Sequence, residues 1–287
     1  MKNESNSHNA GNRVLIGLSS YKCTQRVEKD EIISNNNAMK VPFELYHNHL
    51  FLQVHINGKN LRLAFDTGMP MDGAMLFATS RVGELNLKYV SQAMIGGAGG
   101  APEMADMATG VEFRLADLKF PNQTVLTMRN NPFPDGILGE MDGVFGYTLF
   151  SRFEVEIDFD NSIITLAKPG TSSCSGQGSE LPLTVEHGFP FLNCEAEMLN
   201  GVQVPLQLVV DLGASHALSL DFTSHQDIIL PKNAMKFRIG KGVGGDVYGH
   251  IGRIKELRLG QFGLKNIVTT FTDGPVAKCA ALEQAKH

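Results

Sequence analysis

The chain has 287 residues, 43% of them hydrophobic and 19% charged, with a formal net charge of -5. That is length for about two domains with cores of their own, and the balance argues against a disordered chain. No basic run interleaved with aromatics suits nucleic acid, and no apolar run has the length of a membrane-spanning helix. Val14-Leu15-Ile16-Gly17-Leu18 is too short and too polar in its flanks for a signal-peptide core, so an extracytoplasmic location is expected only if a leader was removed. Cys23, Cys174, Cys194 and Cys279 are scattered, with no C-x-x-C pair; they read as free thiols, with no metal site and no cofactor expected.

Residues 1–40 are rich in Asn, Ser, Lys and Glu and read as a flexible tail, with one short strand at Val14–Leu18. Regular structure is expected from Val41. Leu50 to Ile56 largely alternates, Asn57-Gly58 follows, and Leu61 to Phe65 leads into Asp66-Thr67-Gly68. Two strands around Asn-Gly predict a hairpin whose second arm ends in an acid. Met75 to Leu87 fits either a short helix or a strand, and Gly96-Gly97-Ala98-Gly99-Gly100 reads as a flexible tip. Val111–Leu115 and Val125–Met128 read as strands. Asp142 to Phe150 reads as a turn opening a short helix, with Asp142 as turn residue and cap. Phe153–Phe159 and Ile163–Leu166 predict another hairpin.

Residues 171–180 read as a linker, after which the plan restarts over 181–287. Phe191–Leu199, Asn200-Gly201 and Val204–Val210 repeat the hairpin and end in Asp211-Leu212-Gly213-Ala214-Ser215. Asp211 follows Asp66 by 145 residues, Gly244 follows Gly99 by 145, and Leu257 follows Phe113 by 144. Agreement at three places predicts an internal duplication: a first lobe over 41–170 and a second over 181–287. Short strands between turn signals make the expected class all-β.

Two lobes of one fold can pack with pseudo-two-fold symmetry and bring the two acids together. Neighbouring carboxylates cannot easily both ionise, so they share a proton, one serving as general base and the other as general acid. A water between them can then attack an amide carbonyl. The glycine after each acid lets backbone approach the carboxylate, and the Thr67 hydroxyl can reach the other lobe. Glycine-rich tips suit flaps that close over an extended peptide.

The chain resembles aspartic proteases of the retropepsin/pepsin type, in particular two-lobed bacterial aspartyl protease-like proteins. The likeness rests on Phe65-Asp66-Thr67-Gly68, the glycine tip, Asp142-Gly143-Val144-Phe145-Gly146, Val210 to Ser215 and Gly244-Gly245. It implies two β-barrel lobes, Asp66 and Asp211 as catalytic pair, and water as nucleophile with no metal. Thr67, Gly68, Gly213, Ala214 and Ser215 would support the active-site turns, and Gly97, Gly99, Gly100, Gly244 and Gly245 would form the flaps. Peptide or unfolded polypeptide would be the substrate.

The sequence departs from the family pattern in three places. Met69 stands where Ala or Ser is usual, and Leu212 stands where Thr is usual, which removes a cross-lobe hydroxyl. By the repeat offset, the second lobe lacks a counterpart of Asp142 to Leu166 and is expected to be truncated. It would then expose an apolar patch, borrow cover from elsewhere in the chain, or self-associate. The alternative reading is a weak or inactive homologue that binds peptide. His47, His49, His55 and His216 show no metal-ligand spacing and read as ordinary surface or packed histidines.

Overall fold

The computed structural model describes residues 13–16, 38–100, 102–134, 136, 138–171 and 179–274. The first half contains β1 (Arg13–Ile16), β2 (Ala38–Pro42), β3 (Glu44–Tyr46), β4 (His49–Ile56), β5 (Lys59–Phe65), β6 (Ala74–Leu76), the single turn α1 (Ser80–Gly83), β7 (Tyr89–Ile95), β8 (Glu103–Leu115), β9 (Leu118–Met128), β10 (Gly143–Phe145), the single turn α2 (Tyr147–Phe150), β11 (Glu154–Asp158) and β12 (Ile163–Ala167). The second half contains β13 (Leu183–Glu186), β14 (Phe189–Glu197), β15 (Gln203–Val209), β16 (Ser219–Asp221), β17 (Met235–Gly242), β18 (Gly245–Arg253), β19 (Glu256–Leu259), β20 (Phe262–Lys265) and β21 (Val268–Thr272). The fold is all-β. The Met75–Leu87 stretch holds a strand end and a helical turn, so each of its two readings was half right.

Asn57 and Gly58 take φ of 46° and 79°, the left-handed pair that a two-residue hairpin turn requires, and Ile56 faces Lys59 across it. The second predicted Asn-Gly hairpin closes differently. Its strands end at Glu197 and Gln203, and Asn200 turns its side chain back to accept from the Val202 N–H at 3.1 Å. Only Gly201 is at positive φ there.

β5 lies between β4 and β10 in an eight-stranded sheet of order β3-β4-β5-β10-β6-β9-β8-β7, and β4 also pairs with β8, so the sheet curls back on itself. Its concave core joins Val54, Leu63, Phe65, Phe113, Phe120, Phe145, Phe150 and Phe153 with Val155, Ile157, Ile164 and Leu166 from β11 and β12. The hairpin predicted at Phe153–Phe159 and Ile163–Leu166 is thus present, with apolar residues of both arms in this core. That hairpin belongs to a separate sheet of order β1-β11-β12-β2. The strands β1 and β2 both draw on residues 1–40, so that stretch is more than a tail: Arg13–Ile16 adds to the open edge of β11, and Ala38–Pro42 to that of β12. The other face of the large sheet carries a Met-rich cluster that includes Met69, Met75, Met128 and Met141.

In the second half, β13, β14, β19 and β20 form a sheet with β15 beside β14, and β16, β21, β18 and β17 form another. Their shared core is smaller, built on Ala196, Val204, Leu218, Leu220, Ile228, Ile254, Leu257 and Phe271. β16 pairs parallel with β21, as β6 does with β9. The sheets differ at the acid-bearing strand: β5 has strands on both sides, whereas β15 has β14 alone among the described residues. The linker expected at 171–180 falls largely outside the described residues. So do Cys23, Cys174 and Cys279; Cys194 is a free thiol that burial pushes up to about 11.

Candidate active site

β5 is apolar and buried through Leu63, Ala64 and Phe65, and it delivers Asp66 at its end. The Asp66 N–H donates to the Phe145 carbonyl of β10 at 3.1 Å, and Gly146 lies so close to the Asp66 carbonyl that a Cβ there would overlap it. The Gly68 N–H donates back to Asp66 Oδ1 at 2.8 Å. Asp211 follows β15 in the same turn: the Gly213 N–H donates to Asp211 Oδ1, also at 2.8 Å.

The two turns face each other, and the seating is reciprocal. A Cβ on Gly68 would lie 2.7 Å from Asp211 Cγ, and one on Gly213 would lie 2.7 Å from Asp66 Oδ2, nearer than real Cβ atoms approach. Each carboxyl therefore rests over the glycine of the opposite turn. Burial pushes the Asp66 carboxyl up to about 7; the neighbouring Asp211 charge adds to this and the Gly68 N–H opposes it.

Thr67 is fully buried between the turns. Its hydroxyl donates to the Val210 carbonyl at 2.6 Å and accepts from the Leu212 N–H at 2.9 Å. The matching hydroxyl is absent at Leu212, as the sequence indicates. The Leu212 side chain instead packs against the core of the first half. Val243 packs likewise against the Met-rich cluster that contains Met69. The second half thus sends apolar side chains into the first.

The glycine tips also meet. The Gly244 N–H donates to the Ala98 carbonyl at 2.9 Å. A Cβ on Gly99 or Gly100 would overlap the backbone of Gly245 or Gly244, and one on Gly97 would overlap the Val243 side chain. All five glycines picked out in the sequence sit in this contact. In the second turn Ala214 is partly buried, and the Ser215 carbonyl accepts from Asn48 Nδ2 at 3.0 Å.

Two features escaped the sequence reading. Asp142 is not the cap of α2, a position held by Gly146. It is fully buried and accepts from the Arg62 N–H at 2.9 Å, the Thr79 hydroxyl at 2.7 Å and Arg81 Nε at 2.9 Å, so it ties three segments behind the first acid. Such a carboxylate is tolerated inside because each oxygen is hydrogen-bonded and one partner is cationic. His49 is also buried, with Nε2 3.1 Å from the Gly213 carbonyl and Nδ1 2.8 Å from the His47 carbonyl. His216 is held below the usual histidine range by burial, against the pull of Asp211 and with the help of His49. Among the described residues no cluster of three or more His, Cys, Asp or Glu side chains is arranged to hold a metal, and no helix is long and apolar enough to cross a membrane.

Residues 52–141 match the family model described as aspartyl protease, a span that contains the first acid turn and ends before the second. No curated protein matches. Among solved structures, the chain is similar to a retropepsin-like aspartic protease from Rickettsia conorii, at 17% identity and a TM-score of 0.31, over 46% of this chain and 91% of that one. Asp66-Thr67-Gly68 lies inside the matched span, so the likeness to the aspartyl protease family rests on the first half of the chain.

Proposed function

We propose that this protein is a two-lobed aspartic endopeptidase, its lobes related by internal duplication, which hydrolyses peptide bonds with water activated by Asp66 and Asp211. The observation that carries this reading is the reciprocal seating of the two carboxyls over Gly213 and Gly68. At that separation one proton is shared. Below about pH 7 the proton is held at Asp66, where it can stabilise the oxyanion forming on the scissile carbonyl. The partner carboxyl takes a proton from the attacking water. Gly97, Gly99, Gly100, Gly244 and Gly245 form flap tips that cover an extended peptide and exclude bulk water.

The test is cleavage of an unfolded polypeptide at acid to neutral pH, with and without pepstatin. Cleavage should be pepstatin-sensitive, should decline as pH rises through about 7, and should vanish in Asp66→Asn. Full activity in a clean Asp66→Asn preparation would move the chemistry elsewhere.

A further inference from the structure

The second acid turn is held mainly from outside its own sheet. Within its half, Val210 donates to the Pro190 carbonyl at 2.9 Å, and β15 has no described neighbour on its far side. The backbone from Val210 to Ser215 otherwise meets the first half: Thr67 at Val210 and Leu212, His49 at Gly213, and Asn48 at Ser215. His49 and Asn48 belong to the tip that joins β3 to β4. Asn48 takes φ of 64°, a left-handed conformation that Asn tolerates better than most residues, and this aims its amide at Ser215. The His49 ring lies 6.3 Å from the Phe51 ring, in an otherwise buried position where a polar side chain is costly unless bonded.

We infer that His49 and Asn48 are positioning residues for Asp211: the His49 ring, protonated at Nε2, and the Asn48 amide donate to the Gly213 and Ser215 carbonyls and fix the second turn against the first. The inference rests on the aspartic-peptidase reading for its catalytic consequence, but the hold itself is a property of the fold. Gly213 is the glycine that supports the Asp66 carboxyl, so slack at this carbonyl displaces both acids relative to each other. A displacement of an ångström at reacting groups is enough to cost about 100-fold in rate.

The experiment compares His49→Phe, His49→Gln and Asn48→Gly in the full chain. The first keeps an aromatic body without a donor, the second restores a neutral donor, and the third keeps the left-handed backbone without the amide. Two readouts are taken: kcat and KM on a quenched-fluorescent unfolded polypeptide, and amide hydrogen exchange across residues 212–215 and 67–68. His49→Phe should lower kcat by about 10-fold or more with KM within about 2-fold, and should speed exchange at 212–215 more than at 67–68. His49→Gln should recover most of both effects. Asn48→Gly should act in the same direction by about 3-fold. Unchanged exchange at 212–215 in both His49→Phe and Asn48→Gly overturns the hold, and equal loss in His49→Gln assigns it to ring shape instead. Asp66→Asn run in parallel separates the two ideas. If that variant keeps its activity, or if the parent has none, the dyad reading fails while the exchange result still decides the hold. If Asp66→Asn is dead and His49→Phe is normal in both readouts, the hold fails while the dyad stands.

Discussion

Asp66 and Asp211 end in the same turn with the same 2.8 Å bond from the glycine two residues on, yet the two turns are supported by different means. Asp66 leaves the centre of a sheet, with β10 beside it and Gly146 pressed against its carbonyl. Asp211 leaves a strand paired on one side among the described residues, and its turn leans on Thr67, His49 and Asn48 from the other half. The reverse contact differs in kind: at the β13–β14 tip, Gly188 lies so close to Pro70 that a Cβ there would meet the proline. Two turns of the same geometry do not need symmetric scaffolding. One rigid turn can serve as the template on which the other is cast.

The sharpest way to break the comparison is at the acids. On the proposed dyad, Asp66→Asn should reduce cleavage by at least about 1,000-fold, because an amide cannot hold the shared proton. The same variant reports on stability. A carboxyl raised from 3.8 to about 7 binds its proton more tightly in the folded state. The folded protein is therefore favoured at low pH and progressively penalised as pH rises from about 4 to 7. Asp66→Asn removes that penalty, so its melting temperature should exceed the parent's at pH 8 and the difference should shrink at pH 4. A smaller advantage at pH 8 than at pH 4 would contradict the shift.

Next in size is the reciprocal seating. Gly68→Ala and Gly213→Ala each drive a methyl group into the opposite carboxyl and should lower kcat by about 100-fold. Because the second turn is held from outside, Gly213→Ala should show the larger change in exchange at 212–215. Identical exchange profiles in the two variants would mean that the turns are equally stiff.

Thr67→Val removes both cross-turn bonds and leaves the Leu212 N–H and Val210 carbonyl without that partner. It should destabilise by about 1–3 kcal/mol by denaturant unfolding. Leu212→Thr supplies a hydroxyl at the place matching Thr67 but withdraws apolar packing from the first core, at about 1 kcal/mol. A stability gain in Leu212→Thr would show that the missing hydroxyl matters more than the packing.

The smallest effect needs no mutation. Among the described residues, the fully buried phenylalanines Phe51, Phe65, Phe77, Phe113, Phe120, Phe145 and Phe150 belong to the first half and only Phe271 to the second. Amides of β14 to β21 should exchange by smaller openings than those of β4, β5 and β10. Uniform protection across the two halves would count against this.

What could be read from the sequence is what is local. The acid turns, the hairpin at Asn57-Gly58, the glycine tips and the alternating Phe153–Leu166 pair all declare themselves within a dozen residues, because turn chemistry and side-chain period are short-range. Asp142 misled because Asp-Gly is a turn dipeptide, while its actual partners Arg62 and Arg81 lie 80 and 61 residues away. His49 gave no signal at all: a single histidine at the start of a strand looks like any packed ring until the Gly213 carbonyl, 164 residues on, arrives beside it. Within 1–40 the apolar run at Val14–Leu18 did announce a strand, and β1 (Arg13–Ile16) overlaps it, whereas Ala38–Lys40 of β2 gave no such sign, since a polar stretch joins a sheet when an existing edge offers unpaired backbone groups.

The contact between the tips has a kinetic consequence. With Gly244 bonded to Ala98, and Gly99 and Gly100 pressed on the backbone of Gly245 and Gly244, the two tips are latched together, and on the aspartic-peptidase reading proposed above a chain passes between them only after the latch parts. Parting breaks that hydrogen bond and withdraws Val243 from Gly97 and from the Met-rich cluster. A loose segment, present in many conformations, can slip through such a brief opening, whereas a folded domain is too bulky and too slow. On that reading the latch would sort polypeptides by their looseness before any side chain is recognised, and would set how quickly cleaved ends escape.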